Sequence, residues 1–321
     1  MRAAAGLLAL LAASLPANEV WLGDSLARLG FAAPAPEREG AERLTRAAPA
    51  PMVVLAERDR DHLMVDGIKV LLSEPLTLRT LRPRTGPPVQ RLAVRRADYE
   101  STLAPLFWSP PAGTRRPVRI LLDPGHGGKD PGFVNKALGL EERHLALDTA
   151  RRVAVRLRAA GFEVAMTRDR DVFVELAERG AMAARVKADL FVSLHYNAAA
   201  ATSAAGAETF CLTPAGQFST HDPSNRGRTA AEPGNRHDAL NIRAAYAVQR
   251  ALVNGLRCVD RGVKRARFSV LTDLSCPGVL VEAGFLSNRP EAIRLAQESH
   301  RERVAQAVAE GIAAYAAALP R

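Results

Sequence analysis

Cysteine is scarce in this sequence, with three residues in a chain of 321. Cys211, Cys258 and Cys276 lie far apart and none belongs to a CxxC pair, which excludes a cysteine-based structural zinc cluster. In an exported chain, two of the three could form a disulfide and leave the third free. The other interpretation is that all three are buried thiols that pack as small hydrophobic side chains.

Aromatic residues are also few, at 5% of the chain. The net charge is +10 and the isoelectric point is about 10.2, which favours an anionic partner such as a phospholipid surface or an acidic envelope polymer. No basic stretch is interleaved with aromatic residues, however, and this argues against nucleic acid as a partner. We interpret the charge as a property dispersed over the surface.

Long hydrophobic runs are missing, so no stretch predicts a membrane-spanning helix. The N-terminus has a single positive residue, Arg2, followed by the short apolar run Ala3–Ser14. This pattern is typical of a cleavable secretory signal rather than of an Ala-rich N-terminal helix. Cleavage could follow Ser14 or Ala17, so we assign the signal peptide to residues 1–17. The mature chain is then expected to be periplasmic or secreted, with no integral membrane segment.

A smaller region precedes the main domain. Residues 18–50 are predicted to hold a short helix, Trp21–Phe31, and a linker rich in Ala, Pro, Arg and Glu. Residues 51–108 contain several short apolar runs, with the hairpin signal Asp66–Gly67 between two of them, and predict a small β-rich module. This module is weakly similar to the copper-amine-oxidase N-terminal-like domain. Residues 109–117, with three prolines, predict a second linker.

Strands and helices alternate from residue 118 to residue 321, which we interpret as one catalytic domain. This alternation predicts an α/β domain with a mostly parallel twisted sheet and helices on both faces. The predicted strands are 118–122, 162–167, 189–194, 207–212, 267–271 and 278–282, and the predicted helices are 141–159, 174–187, 238–257, 290–297 and 300–318.

Four polar residues fall where the strands of such a sheet end. His126 follows the first strand inside a glycine-rich turn, Glu142 begins the next helix, His195 follows the apolar run 190–194, and Glu282 follows Val279–Val281. Ligand sites in open α/β sheets form at the carboxyl ends of the strands. We therefore expect these four side chains to converge at one edge of the sheet.

Two histidines and one glutamate are a ligand set of catalytic zinc sites, which leave a fourth position open for water. His126, Glu142 and His195 are the candidate ligands for Zn²⁺. Glu282 is the candidate general base, because a second, unligated carboxylate is needed to accept the proton of the water and pass it to the leaving group. Each histidine taken alone is more often structural than a ligand, and it is the combination with Glu142 and Glu282 that favours zinc. Glu141 competes with Glu142, but the register of the apolar residues that follow favours Glu142.

The order of several motifs resembles the zinc-dependent N-acetylmuramoyl-L-alanine amidases of the type 3 family over residues 118–319. The matching segments are Asp123–Gly132 (DPGHGGKDPG), Glu142–Leu147 (ERHLAL), Thr167–Arg168, Leu176–Arg179 (LAER), Ser193–Ala198 (SLHYNA) and Val281–Asn288 (VEAGFLSN). The resemblance implies that zinc is the cofactor and that the substrate is the amide between N-acetylmuramic acid and L-alanine in peptidoglycan. It also implies a phosphorylase/hydrolase-like fold for this domain and a role in cell wall remodelling or daughter cell separation.

Three features depart from the family pattern or extend it. Tyr196 stands where a smaller residue is common, and beside the metal it would narrow the cleft and contact substrate. Asn197 either orients substrate or hydrogen-bonds its own loop. Residues 199–240 form a long polar insertion, which in related enzymes lines or blocks the groove.

The sequence leaves two alternatives to the amidase. One is another zinc hydrolase, a peptidase or deacetylase, on the same scaffold. The other is a wall-binding protein without activity, although a binding module would not need three ligands and Glu282. Peptidoglycan is the expected partner in either case, and an activator protein is a further candidate partner.

Overall fold

The computed structural model of the protein describes residues 15–47, 51–82, 86–220 and 230–320. Most of the predicted signal peptide, and residues 221–229 of the insertion, lie outside these residues. The chain divides into two compact units with a boundary between Trp108 and Ser109. Within the described ranges, no helix is both long enough and apolar enough to cross a membrane.

The N-terminal unit is built from antiparallel strands. Its elements are β1 (Glu19–Trp21), α1 (Leu22–Ala27), β2 (Ala35–Arg38), β3 (Ala41–Arg46), β4 (Met52–Glu57), β5 (His62–Val65), β6 (Ile68–Leu71), β7 (Thr77–Leu81) and β8 (Val89–Arg95). Strands β2 to β6 pair in chain order, and β8 pairs with both β1 and β7. Residues 96–107 continue as a helical segment: α2 (Arg96–Asp98), a π-helical turn (Tyr99–Leu103) and α3 (Ala104–Phe107).

Two predictions for this unit can be compared with the structure. Asp66 and Gly67 join β5 to β6 with positive φ angles of 47° and 78°, the backbone of a two-residue type I′ turn, so the predicted hairpin is confirmed. The linker predicted within residues 18–50 is wrong, because β2 and β3 lie there. Leu44 explains the error: it is fully buried while its neighbours are polar, and the composition of the segment concealed this alternation.

The second unit contains the predicted mostly parallel sheet. Its strands are β9 (Arg119–Pro124), β12 (Glu163–Met166), β13 (Leu190–Asn197), β14 (Ala207–Leu212), β15 (Asp260–Ala266) and β16 (Gly278–Phe285), and a separate hairpin pairs β10 (Val134–Asn135) with β11 (Leu140–Glu141). The order across the sheet is β12-β9-β13-β16-β14-β15. The β14–β16 pair is antiparallel and the other pairs are parallel.

One predicted strand in this unit is wrong. Residues 267–271 do not extend; the strand is β15, and the apolar residues after it form the short helix α7 (Ser269–Thr272). Val270 and Leu271 bury their side chains in the core from this helical turn. Strand β15 is hard to predict because it carries three charged residues, Arg261, Lys264 and Arg265. In the fold, each of them contacts a residue of β14.

Helices cover both faces of this sheet, as predicted. They are α4 (Glu142–Ala159), α5 (Leu176–Arg185), α6 (Asp238–Leu256), α8 (Arg289–Ala296) and α9 (Glu298–Ala317). Helix α9 packs against α4 and α6, whereas α5 and α7 contribute to a core cluster with Phe191, Phe210 and Leu280. The three cysteines are free thiols, and Cys211 and Cys276 are buried, which fits small hydrophobic side chains.

Candidate metal centre

A tight loop after β9 presents His126. Its φ is +60°, a left-handed conformation that costs a non-glycine residue energy. A Cβ on the preceding Gly125 would lie 2.1 Å from Cε1 of His195. Glycine is therefore required at position 125, because the His195 ring packs directly against the backbone there.

Two buried arginines hold this loop by its carbonyl oxygens. Arg179 donates to the carbonyls of Pro124 (2.8 Å) and His126 (2.7 Å). Arg168 donates to the carbonyls of Pro124 (2.9 Å) and Gly125 (2.7 Å). The strained backbone at His126 is thus fixed by neighbouring residues, as is common where strain serves a site.

Asp123 is the anchor of the same loop and is fully buried. It pairs with Arg179 at 2.8 Å, and it accepts hydrogen bonds from the hydroxyls of Thr167 (2.6 Å) and Ser193 (2.8 Å). The sequence reasoning assigned no role to these residues. The available signal was their presence in the motifs that carry the family resemblance.

The three predicted ligands come together as expected. Oε1 of Glu142 lies 3.0 Å from Nε2 of His126 and 2.9 Å from Nδ1 of His195, and all three ligand atoms lie within 4.8 Å of one another. Glu141 instead accepts a hydrogen bond from Arg143. The choice of Glu142 over Glu141 therefore agrees with the geometry.

Neighbouring groups orient each ligand. Nδ1 of His126 lies 2.8 Å from Oδ2 of Asp130, which directs Nε2 towards Glu142. The carboxylate of Glu142 accepts backbone N–H groups from Phe133 (3.0 Å) and Tyr196 (3.2 Å). A carboxylate on the far nitrogen of a histidine is the usual outer shell of a protein metal site.

The charge of Glu142 and the charges of the histidines in the cluster influence one another. Burial opposes ionisation of Glu142, but hydrogen bonds from His126 and His195 outweigh it and hold the pKa of Glu142 well below its usual value. Burial also opposes protonation of His126, yet Glu142 and Asp130 raise its pKa above the ordinary value. The negative carboxylate between two imidazoles is thus stable at neutral pH.

This donor set fits a divalent zinc ion. Ligands about 2.1 Å from a tetrahedral zinc are roughly 3.4 Å from each other, so shifts of a few tenths of an ångström in each side chain would open the observed spacing around the ion. The side chains of His126 and His195 are 24% and 16% exposed. The cluster is therefore accessible from one side, where a fourth ligand or substrate could enter.

Glu282 lies beside this cluster on the adjacent strand. It is the register neighbour of His195 across the β13–β16 pair, and its Oε2 is buried with no hydrogen-bond partner among the described residues. Burial, then the negative charges of Glu142 and Glu208, raise the pKa of Glu282 well above its usual value. A carboxyl group with an elevated pKa is suited to proton transfer near neutral pH.

A buried ionic network, which the sequence reasoning missed, borders Glu282 on its other side. Glu208 is the register neighbour of Glu282 across β14–β16 and is 2% exposed. It pairs with Lys264 (2.7 Å) and Arg261 (2.8 Å). The amide of Asn197 donates to it at 2.7 Å, and the Asn197 carbonyl accepts the Ala198 N–H. The geometry thus favours the loop-bonding alternative for Asn197.

The predicted substrate contact of Tyr196 is wrong. Consecutive residues of a strand point to opposite faces, so Tyr196 points away from the face that carries His195. Its side chain is 1% exposed, and its hydroxyl hydrogen-bonds to Thr149 of α4 at 2.5 Å. Tyr196 therefore belongs to the core and reaches the site only through its backbone N–H.

Comparisons with known proteins agree with the site. The Amidase_3 family, described as N-acetylmuramoyl-L-alanine amidase, matches residues 120–314, which is more than half of the chain. The N-acetylmuramoyl-L-alanine amidase AmiC of Neisseria meningitidis is 35% identical over 222 residues, which cover 63% of this chain and 53% of that relative. The chain thus spans about half the length of this relative.

Solved structures share the fold of the second unit. The catalytic domain of CwlV, an N-acetylmuramoyl-L-alanine amidase from Bacillus (Paenibacillus) polymyxa var. colistinus, is 30% identical with a TM-score of 0.52, covering 61% of this chain and 97% of that domain. The CwlD amidase of Clostridioides difficile, solved in complex with the GerS lipoprotein, is 27% identical with a TM-score of 0.52, covering 61% and 97%. Motifs, fold and the His-Glu-His cluster agree, and the chain belongs to the N-acetylmuramoyl-L-alanine amidase family.

Proposed function

We propose that this protein is a zinc-dependent hydrolase of the amide bond between N-acetylmuramic acid and L-alanine in peptidoglycan. The observation that carries the proposal is the accessible His126–Glu142–His195 cluster with Glu282 on the next strand, whose Oε2 has no hydrogen-bond partner in the described part of the chain. Family membership supports the choice of bond. Wall remodelling or daughter cell separation is the process that such a reaction would serve.

His126, Glu142 and His195 would hold the zinc ion. When bound, zinc would polarise the scissile carbonyl and make a water molecule more acidic. Asp130 would keep the imidazole of His126 in the orientation that binding needs, through its contact with Nδ1. The arginines below the loop, Arg168 and Arg179, would prevent the loop from relaxing when the metal leaves.

Glu282 would move the protons. In the first half of the reaction its carboxylate takes a proton from the attacking water, and in the second half the carboxyl group returns that proton to the leaving amine. Its elevated pKa favours this role, because a carboxyl group whose pKa is raised accepts a proton more readily than an ordinary glutamate and can then return it. Its place beside His195 puts it next to the metal position without making it a ligand.

The decisive experiment is digestion of purified peptidoglycan by the chain, with and without a chelator, with products identified by mass spectrometry. The proposal expects stem peptides with free L-alanine amino termini, released only when zinc is present. Cleavage at another bond would discard the amidase in favour of a peptidase or deacetylase. Binding to the wall with no product would favour the non-catalytic binding protein.

A matched pair of variants tests the roles within the site. Glu282→Gln should reduce turnover by about 10²- to 10⁴-fold while the protein still binds one zinc per chain. Glu178→Gln, an exposed change on α5, should alter neither quantity. Loss of zinc from Glu282→Gln would instead make Glu282 a ligand and would overturn its assignment as the base.

Location and partners belong to the same proposal. We propose a periplasmic or secreted enzyme, supported by the apolar N-terminal run Ala3–Ser14. The lipoprotein bound to the CwlD amidase supports the proposal that an activator protein binds this chain as well. For the insertion, residues 199–240, we propose that it lines or blocks the groove, and deletion of 215–231 with measurement of turnover would test this.

A further inference from the structure

Arg261, near the start of β15, has a guanidinium group that is held in place but only partly used. Its Nε donates to Oε2 of Glu208 at 2.8 Å, and its Cζ lies 4.7 Å from the ring centroid of Phe285. No described residue accepts a hydrogen bond from its two Nη groups; neither group is buried, and the side chain is 32% exposed. A fixed pair of N–H donors is therefore accessible, in the geometry that binds both oxygens of a carboxylate.

Arg261 is not needed to neutralise Glu208. The ammonium of Lys264 donates to the same Oε2 at 2.7 Å, so two cations share one carboxylate. The adjacent acid, Asp260, is engaged elsewhere, because its Oδ1 accepts a hydrogen bond from Gln249 of α6 at 2.7 Å. The group formed by Glu208, Lys264 and Arg261 thus carries one positive charge in excess, which favours an anionic ligand.

The open guanidinium of Arg261 lies close to the candidate metal centre. Glu208 is the register neighbour of Glu282, and Glu282 is the register neighbour of His195, so the three side chains project in a row from one face of the sheet. Neighbouring strands are about 4.8 Å apart, which places Glu208 roughly 5 Å from Glu282 and 10 Å from His195 along this row. Phe285, which the guanidinium covers, follows Glu282 on the same strand.

We propose that Arg261 binds a free carboxylate of the stem peptide, on the leaving-group side of the scissile amide. This inference rests on the proposed function. The carboxyl group of N-acetylmuramic acid is consumed in the scissile amide, so the free carboxylates of the substrate belong to the peptide.

The first free carboxylate is the α-carboxylate of the second stem residue, a D-glutamate that continues the chain through its γ-carboxyl group. Two extended residues span at most about 7 Å, which is comparable with one to two strand spacings from Glu282 to the guanidinium of Arg261. Arg261 would thus be a specificity residue, favouring stem peptides that keep this carboxylate over those in which it is a carboxamide.

Kinetics of the full, zinc-loaded chain on two soluble substrates test the proposal. N-acetylmuramoyl-L-alanyl-D-glutamate and N-acetylmuramoyl-L-alanyl-D-isoglutamine differ only in this α-carboxylate, which is a carboxamide in the second. We expect the parent chain to prefer the acid by about tenfold or more in kcat/KM, as a charged hydrogen bond predicts, and Arg261→Gln to lose that preference.

Arg119→Gln is the matched control for the loss of a partly exposed arginine. Arg119 also pairs with an acid, Glu163, and its side chain is 37% exposed. It is the first residue of β9, whereas the candidate metal centre lies beyond the last residue of that strand. Arg119→Gln should therefore keep the substrate preference of the parent chain.

Equal losses of kcat/KM on the two substrates in Arg261→Gln would overturn the proposal, because Arg261 would then only support Glu208. A preference that Arg261→Gln leaves unchanged, or a parent chain without a preference, would overturn it as well. Unfolding midpoints show whether a loss on both substrates reflects a loss of fold, and in that case Arg261→Lys, which keeps the charge, replaces Arg261→Gln.

A second measurement separates this inference from the amidase function, which the digestion of peptidoglycan tests by itself. If the parent chain cleaves neither substrate, calorimetric titration with L-alanyl-D-glutamate and L-alanyl-D-isoglutamine decides the question. The parent should bind the acid about tenfold more tightly than the amide, and Arg261→Gln should bind the two alike. Equal binding of the two peptides by the parent, or no binding of either, would overturn the proposal.

Discussion

Replacement of Arg179 by methionine gives the sharpest test of how the loop around His126 is held. The side chains of Arg179 and Asp123 are 3% and 0% exposed, and methionine preserves most of the volume of arginine while removing its charge. The substitution leaves Asp123 as a buried carboxylate without its cation. It also removes the donors to the carbonyls of Pro124 and His126.

The expected cost is large because only one partner of a buried pair is removed. Breaking such a pair destabilises a protein by about 3–5 kcal/mol, a substantial part of the roughly 5–15 kcal/mol by which a domain is stable. Zinc affinity should fall as well, by about 10- to 100-fold, which is typical when groups that support metal ligands are lost. Zinc affinity falls because the left-handed backbone at His126 would lose the hydrogen bond from Arg179 that fixes it.

Urea unfolding of the metal-free protein and competition titration with a zinc indicator measure the two effects separately. Arg185→Met is the matched control, since Arg185 lies on the same helix but its ion pair with Glu178 is exposed, and it should change neither. Combining Arg179→Met with Asp123→Asn should recover part of the lost stability, because the buried charge is then gone as well.

The reasoning fails if Arg179→Met behaves like Arg185→Met. A loss of stability with unchanged zinc affinity would refute only the link between the arginine and the metal site. A double variant less stable than Arg179→Met alone would show that the uncompensated charge of Asp123 is not the source of the cost.

Three further predictions follow from the same structure. Gly132→Ala should weaken zinc binding and stability more than Gly139→Ala. Both glycines have a φ of +64°, so the backbone strain is alike. A Cβ at position 132 would lie 2.6 Å from Cδ2 of His126, whereas a Cβ at position 139 would have no atom within 4 Å. Burial and nearby arginines lower the pKa of His300 to about 4 from 6.5, and its Nδ1 lies 2.9 Å from Nη2 of Arg303. His300 of the unfolded chain therefore takes up a proton in a pH range where His300 of the folded chain does not. About 3 kcal/mol of the free energy of unfolding should be lost as pH falls from 6.5 to 4. The variant His300→Asn should flatten the pH dependence of urea unfolding in that range. Zinc at a hundredfold excess over its dissociation constant should raise the free energy of unfolding by about 2.7 kcal/mol, and a cluster that binds no metal would show no shift.

The sequence was sufficient to predict that the candidate ligands and Glu282 come together, because of where these residues stand in the chain. His126, His195 and Glu282 each follow an apolar run, and parallel strands bring such positions to one edge of the sheet. The β-rich character of the N-terminal module was visible for a similar reason, through short apolar runs and the turn at Asp66–Gly67.

Features that depend on long-range partners were not predictable. Strand β15 carries three basic residues, and their partners lie on the neighbouring strand: Glu208 pairs with Arg261 and Lys264, and Arg265 donates to Sγ of Cys211. The side chain of Leu44 is fully buried although the composition of its segment is typical of a linker. The sequence predicts Tyr196 beside the candidate metal site because it follows His195, whereas the alternation of the strand directs its side chain into the core.

The pairing of the central strands has a consequence for how the protein folds. Ile120 pairs with Leu190, and His195 with Glu282, partners that are 70 and 87 residues apart along the chain. Contacts between such distant segments form slowly, because a long loop must close before any of them is gained. A chain emerging from synthesis therefore lacks the complete His126–Glu142–His195 cluster until β13 has docked beside β9, and Glu282 does not lie beside His195 until β16 has joined them. Enzymatic competence should be among the last properties to appear during refolding, after most of the helical signal has returned.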